Sequence, residues 1–192
     1  MIKRLYIIVI CSIIALPIYA QKPNTDKTVV QQEWGVNKFS SDKTLMENIS
    51  DVEELKDMLV VFTKGDLATL SESEENLTIF LPMDVALENM RRKERKAFLE
   101  KTPKRELLEM WKEYIVPGRI DEHSIKSNIA NKNGASVFVR TLGNNQLEFK
   151  LKNGEVYIKD AEGHEAKWIK GNFYYSNGFF HFIDGLLNYN PQ

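Results

Sequence analysis

The apolar residues of this chain change period at Pro117-Gly118. Upstream they recur at three- and four-residue steps, the spacing of a helix face; downstream they alternate, the spacing of a strand. Val52, Leu55, Met58, Leu59 and Phe62 form one stripe, which predicts a single helix capped by Ser50 or Asp51 and ended by Gly65. A short helix is predicted around Asp66 to Leu70. Another starts at Thr102-Pro103, with threonine as cap and proline in the first turn, and carries Leu107, Leu108, Met110 and Trp111. Beyond Gly118, Val137 and Val139 alternate, and Leu147, Phe149 and Leu151 alternate with Glu148 and Lys150. Asn153-Gly154, before Val156 and Ile158, tolerates the positive φ of a two-residue turn and predicts a hairpin. Phe179 to Leu187 reads as a dense apolar strand around His181 and Asp184. One strand comes early, Leu77 to Leu81, closed by Pro82; Asp84 is then predicted to cap a helix through Met90. Helices first and strands second predict an α+β fold rather than alternating βαβ units.

A length of 192 residues suits one domain plus attachments. The first attachment is residues 1–20, read as a secretory signal peptide: Lys3 and Arg4, then an apolar run from Leu5 to Leu16, then Pro17. The run is shorter than the roughly 20 residues of a membrane span, and cleavage is expected between Ala20 and Gln21. The only cysteine, Cys11, lies inside that run, so the exported chain builds no disulfide and no multi-cysteine zinc site. Export to a periplasm, a cell surface or the medium is expected, and the lack of cysteine fits a bacterial envelope better than animal extracellular space. Residues 21–42 are polar and without sustained period, and are read as a linker or extension from which Trp34 and Phe39 can dock. The domain is expected over 43–188, with 189–192 as a tail.

Composition narrows the function. Lys plus Arg is 26 against 27 Asp plus Glu, so the basic excess of a dedicated nucleic-acid binder is missing. The five basic residues in Arg91 to Lys96 are read as a solvated helix face, with Glu94, Glu100 and Glu106 nearby. His123, His164 and His181 are too far apart for a helical metal pair, and Asp121 and Glu122 beside His123 read as solvated loop acids. No nucleophile elbow, phosphate loop or dinucleotide turn occurs. Neither a catalytic centre nor a cofactor is expected. The concentrated feature is aromatic: Trp168, Phe173, Tyr174, Tyr175, Phe179, Phe180 and Phe182 fall within fifteen residues. A strand buries alternate residues, so most belong to a core, yet Tyr174 and Tyr175 face opposite sides. Trp168, Phe173, Tyr174 and Tyr175, with Tyr114, are the candidate contact residues for a partner or ligand.

Three segments in order resemble the fasciclin domain: LTIFLPMDVALENM (77–90), YIVPGRI (114–120) and SNGFFHFIDGLL (176–187). The residues that carry the likeness are Pro82 and Asp84, then Pro117 and Gly118, then Asn177, Gly178, His181 and Asp184. The resemblance covers about residues 43–188. It implies a wedge: a small β-sandwich with helices packed at one edge. It implies a secreted or surface binding module of the adhesion type, contacting an envelope or matrix protein or a polysaccharide. Some members carry apolar pigments, so a carrier with an aromatic-lined groove at Trp168 or Tyr174 is the alternative. In place of the Tyr-His pair that many members have before the central segment, this chain has Glu113 and Tyr114. Integrin binding as in animal members is therefore not carried over. Read from their own surroundings, His181 and Asp184 are structural, bonded within the strand region.

Overall fold

The two hydrophobic periods become a helical half and a sheet half. A computed structural model describes residues 28–72 and 76–189; the signal-peptide and cleavage-site reading at Ala20 and Gln21 lies outside these residues.

The first elements depart from the sequence reading. Strands β1 (Gln31–Trp34) and β2 (Asn37–Ser40) form an antiparallel hairpin where an unpatterned extension was expected. Four-residue strands are too short for alternation to register. The hairpin is tied to the body: the buried Phe39 ring lies 4.4 Å from Phe173 and 5.2 Å from Phe180. Helix α1 (Leu45–Ile49) opens on a capping box, with Thr44 Oγ1 accepting the Glu47 N–H and Glu47 returning to the Thr44 N–H.

The stripe predicted as one helix is broken. A 3-10 turn at Glu53–Leu55 precedes α2 (Met58–Lys64), which Gly65 ends. The break has a distant cause. Asp84 does not cap a helix of its own; its carboxylate accepts the Asp57 and Met58 N–H groups at 2.9 and 2.8 Å. It thus caps α2 from 27 residues away, and the segment after it is only a 3-10 turn, Asp84–Leu87. Helix α3 (Leu67–Glu72) leads to β3 (Leu77–Pro82), buried at all six positions. Then come α4 (Arg92–Lys101) and α5 (Lys104–Lys112). Thr102 ends α4 rather than capping α5, whose N-cap is Pro103, with no side-chain cap.

Strand β4 (Ile115–Pro117) is followed by α6 (Glu122–Asn131), where the sequence reading had only strands. Asp121, read as a loop acid, caps it by accepting the Ser124 N–H at 2.9 Å, and Glu122 opens its first turn. Only Ile125 and Ile129 of α6 are buried, a stripe too thin to recognise. The rest is sheet: β5 (Val137–Arg140), β6 (Gln146–Lys152), β7 (Glu155–Lys159), β8 (Glu165–Tyr175) and β9 (Gly178–Ile183). Asn153 and Gly154 turn β6 into β7 at φ +52° and +81°, the left-handed pair of a tight hairpin.

The seven strands β3 to β9 form one sheet in the order β4-β3-β9-β8-β7-β6-β5, antiparallel except for β3 beside β9. The sheet folds over on β8. Register shifts around Lys170 bend this eleven-residue strand; Glu165, Ala166 and Lys167 pair with β7, and the part from Trp168 to Tyr175 pairs with β9. Past β5, the Leu142 N–H donates to Ile115 O of β4 at 2.8 Å, bringing the two edges of the sheet together. The result is an α+β fold of a nearly closed sheet with six α-helices among the described residues.

Candidate functional site

The signature residues are fixed to backbone. His181 is fully buried in β9; its Nδ1 accepts the Asn172 N–H at 2.8 Å, so Nε2 carries the proton and donates to Ile120 O at 2.8 Å. Burial pulls its pKa down to about 3, against the opposing effects of the Ile120 carbonyl and Asp121. A neutral imidazole with both nitrogens bonded has no site left for proton transfer. A Cβ on Gly171 would lie 2.1 Å from that Nδ1, so the ring needs glycine there. Asp184 accepts the Lys167 N–H at 2.6 Å. Gly118 N–H donates to Asn76 O at 2.7 Å, just past Pro117. Asn177 donates its side-chain amide to Ser71 O at 3.0 Å, ahead of Gly178, which pairs with Leu77. Pro82 closes β3 opposite Ile183.

The five aromatic candidates do not form one surface. Tyr114 is buried, and its hydroxyl both donates to Leu187 O (2.7 Å) and accepts the Leu187 N–H (2.6 Å). Tyr175 is buried with its hydroxyl on Ser71 O at 3.1 Å. Burial pushes both phenols above their ordinary range. Phe173 is core. Trp168 is 4% exposed and packs inward: its ring lies 4.2 Å from the His181 ring and 5.3 Å from that of Phe80.

Only Tyr174 reaches the surface, half-buried. Its ring meets Phe179 edge-on at 4.9 Å, and the Arg119 guanidinium lies over both, 5.6 Å from Tyr174 and 4.7 Å from Phe179. Arg119 also faces Asp121 at 3.8 Å. The hairpin fixes the strand beneath: Gln32 accepts the Tyr174 N–H and donates to Asn172 O, at 2.8 and 2.7 Å. Sequence reasoning missed Arg119, although it stands in the central signature segment.

A second feature is a groove of about 700 Å³ between α4, α5 and Tyr189. Phe98 and Tyr189, with centroids 4.9 Å apart, form its floor, and Arg91, Lys93 and Lys101 stand around it. Burial raises the Tyr189 phenol pKa, and Glu94 and Glu106 add to the rise. Tyr189, read as the start of a tail, is held in place. Tyr114 grips Leu187, and the buried Asp160 accepts the Asn188 N–H at 2.6 Å. Burial pushes the Asp160 carboxyl up, but bonds from Asn188 and His164 hold it below the usual carboxylate range. The buried Glu113 accepts from Thr141 Oγ1 (2.6 Å) and Asn145 Nδ2 (2.9 Å). The groove was not legible in the sequence because it joins a basic helix to a residue about ninety positions on. Among the described residues, no group of three or more His, Cys, Asp or Glu is placed to hold a metal ion. None of their helices is long and apolar enough to cross a membrane.

The sequence profile of the Fasciclin domain matches residues 53–189. Among solved structures, the chain is similar to a FAS1 domain pair from the insect cell adhesion molecule fasciclin I, with a TM-score of 0.54 and 20% identity. The likeness covers 70% of this chain and 45% of that one, and at this identity it speaks to the fold alone. No curated protein sequence matches the chain.

Proposed function

The chain belongs to the fasciclin domain family, and from that premise we propose that it is a non-catalytic binding and adhesion module acting outside the cytoplasm, against a protein or glycan of an envelope or matrix. The observation that carries this reading is the stack of Arg119 on Tyr174 and Phe179. Tyrosine and arginine dominate the anchoring positions of protein interfaces, and a guanidinium already held over two rings loses little freedom on contact. The buried polar groups support the same reading: His181, Asp184, Asp84 and Asp160 are engaged with backbone N–H and C=O groups, which leaves them to structure rather than to chemistry.

The test is adsorption of the purified protein to envelope fragments of its source organism. Arg119→Ala and Tyr174→Ala each weaken it several-fold while the melting temperature holds. Saturable turnover of any envelope component, abolished by one side-chain change, would contradict the reading. Native mass spectrometry of protein isolated gently from its source checks the rest. The expected mass begins at Gln21 with nothing attached. Protein retaining Met1 would mean an uncleaved anchor, and a discrete added mass released on denaturation would mean a carrier.

A further inference from the structure

We propose that the groove between α4 and α5 binds an anionic polysaccharide, a hydroxyl-rich sugar chain that carries carboxylates. The inference rests on the reading of the chain as a binding module but uses a surface that shares no residue with the Arg119–Tyr174 stack.

Charge is the first argument. The chain has a net charge of -1, yet Arg91, Lys93 and Lys101 all line this groove, while Arg95 and Lys96 of the same basic run pair with Asp57 and Glu100. Lys93 and Lys101 pair with no carboxylate among the described residues. Arg91 meets Glu94 at 3.5 Å with its own side chain 90% exposed, a contact worth little in solvent. Arg91, Arg92 and Lys93 also crowd the start of α4, where the helix dipole is already positive. An anion in the groove relieves that repulsion.

The interior decides what kind of anion. Glu94 and Glu106 face the phenol of Tyr189 within the groove, and Thr102 adds a hydroxyl. These carboxylates accept hydrogen bonds from neutral hydroxyls. An acidic peptide brings its carboxylates with backbone N–H groups as donors, fewer donors per charge than the hydroxyls of a uronate chain supply. A uronate polymer satisfies both sets, with hydroxyls on Glu94 and Glu106, carboxylates on Lys93 and Lys101, and a sugar face against the Tyr189 ring. A volume of about 700 Å³ falls within the usual range for ligand clefts.

Isothermal titration of the exported chain with oligogalacturonate, neutral dextran and poly-glutamate tests this. Oligogalacturonate is expected to bind, weaken as salt rises, and lose about tenfold in affinity in K93Q/K101Q, as expected when two charge-assisted contacts are removed. K93R/K101R retains binding, and Tyr189→Ala weakens it several-fold. Neutral dextran does not bind, and poly-glutamate binds more weakly than the uronate. The inference is overturned if oligogalacturonate fails to bind, if K93Q/K101Q binds it as wild type does, or if poly-glutamate binds as tightly. Both lysines are exposed, so an unchanged melting temperature shows that the double variant is folded. If oligogalacturonate fails while the Arg119 and Tyr174 variants still lose envelope adsorption, the groove assignment falls alone; if those variants also adsorb as wild type, the module reading falls with it.

Discussion

Residues 168–182 and residues 91–106 invite opposite readings in sequence and exchange them in space. The first stretch holds seven aromatics and looks like a contact surface, yet its members pack into the core, apart from the half-buried Tyr174. The second is dense in charge and looks like a bare solvated helix, yet it walls the groove. The difference has a physical source. Strands β8 and β9 lie inside a sheet that folds over on itself, so β9 is buried at all six positions rather than at alternate ones. Aromatic density there measures core. A groove instead needs elements that converge from far apart, here the α4–α5 corner and the chain end that Tyr114 and Asp160 bring back.

The largest expected effect lies in the aromatic stretch. Trp168→Ala removes a ring packed against Phe80, Phe149 and His181 and should cost about 3–5 kcal/mol in urea unfolding. An unchanged midpoint would return Trp168 to the surface and erase the contrast between the two regions.

The same core sets a pH dependence. His181 titrates near its ordinary value of 6.5 in the unfolded chain but at about 3 in the fold. Between these values the unfolded state binds the extra proton, so stability is full above pH 6.5 and falls as the pH drops, by up to about 1.4 kcal/mol per unit. His123 and His164 are common to wild type and His181→Asn, so the difference between their stabilities isolates this group. It should narrow from pH 6.5 to pH 5, and parallel curves would show that His181 is not buried neutral.

Tyr114→Phe links the two regions. It leaves the buried Leu187 N–H and C=O without their partner, at a cost of about 1–3 kcal/mol, and loosens the seat of Tyr189. Tyr189 fluorescence quenching by acrylamide, measured against Tyr189→Phe as blank, should rise; the loss of stability without that rise would separate the chain end from the groove. The smallest effect belongs to the groove rim. K93Q/K101Q should change unfolding free energy by no more than about 0.5 kcal/mol, as surface substitutions do. A larger loss would mean that these lysines support the fold.

Much of the sheet was legible because its signals are local. The Asn153-Gly154 turn, the alternation in β5 to β7 and the apolar β3 and β9 each declare themselves within ten residues. The family signatures, spread over three segments, pointed to the α+β arrangement. What was not legible depends on distant partners. Asp84 stands where a cap belongs, but nothing nearby tells that the helix it caps begins at Asp57. The hairpin at 31–40 gains its order from Phe173 and Phe180, more than 130 residues on. Helix α6 buries only two isoleucines. For the candidate site, residue type was visible and burial was not: Tyr114, Trp168, Phe173 and Tyr175 resemble Tyr174 in sequence, and only the fold separates them.

Hydroxyl-radical footprinting of the intact protein tests the central claim most directly, because one experiment reads both regions. Tyr174 and Tyr189 should be oxidised readily while Trp168, Tyr175 and Tyr114 stay protected in the folded protein. Oxidation of Trp168 as fast as Tyr174, with Tyr189 silent, would put Trp168 at the surface and leave the groove closed, and so contradict the account.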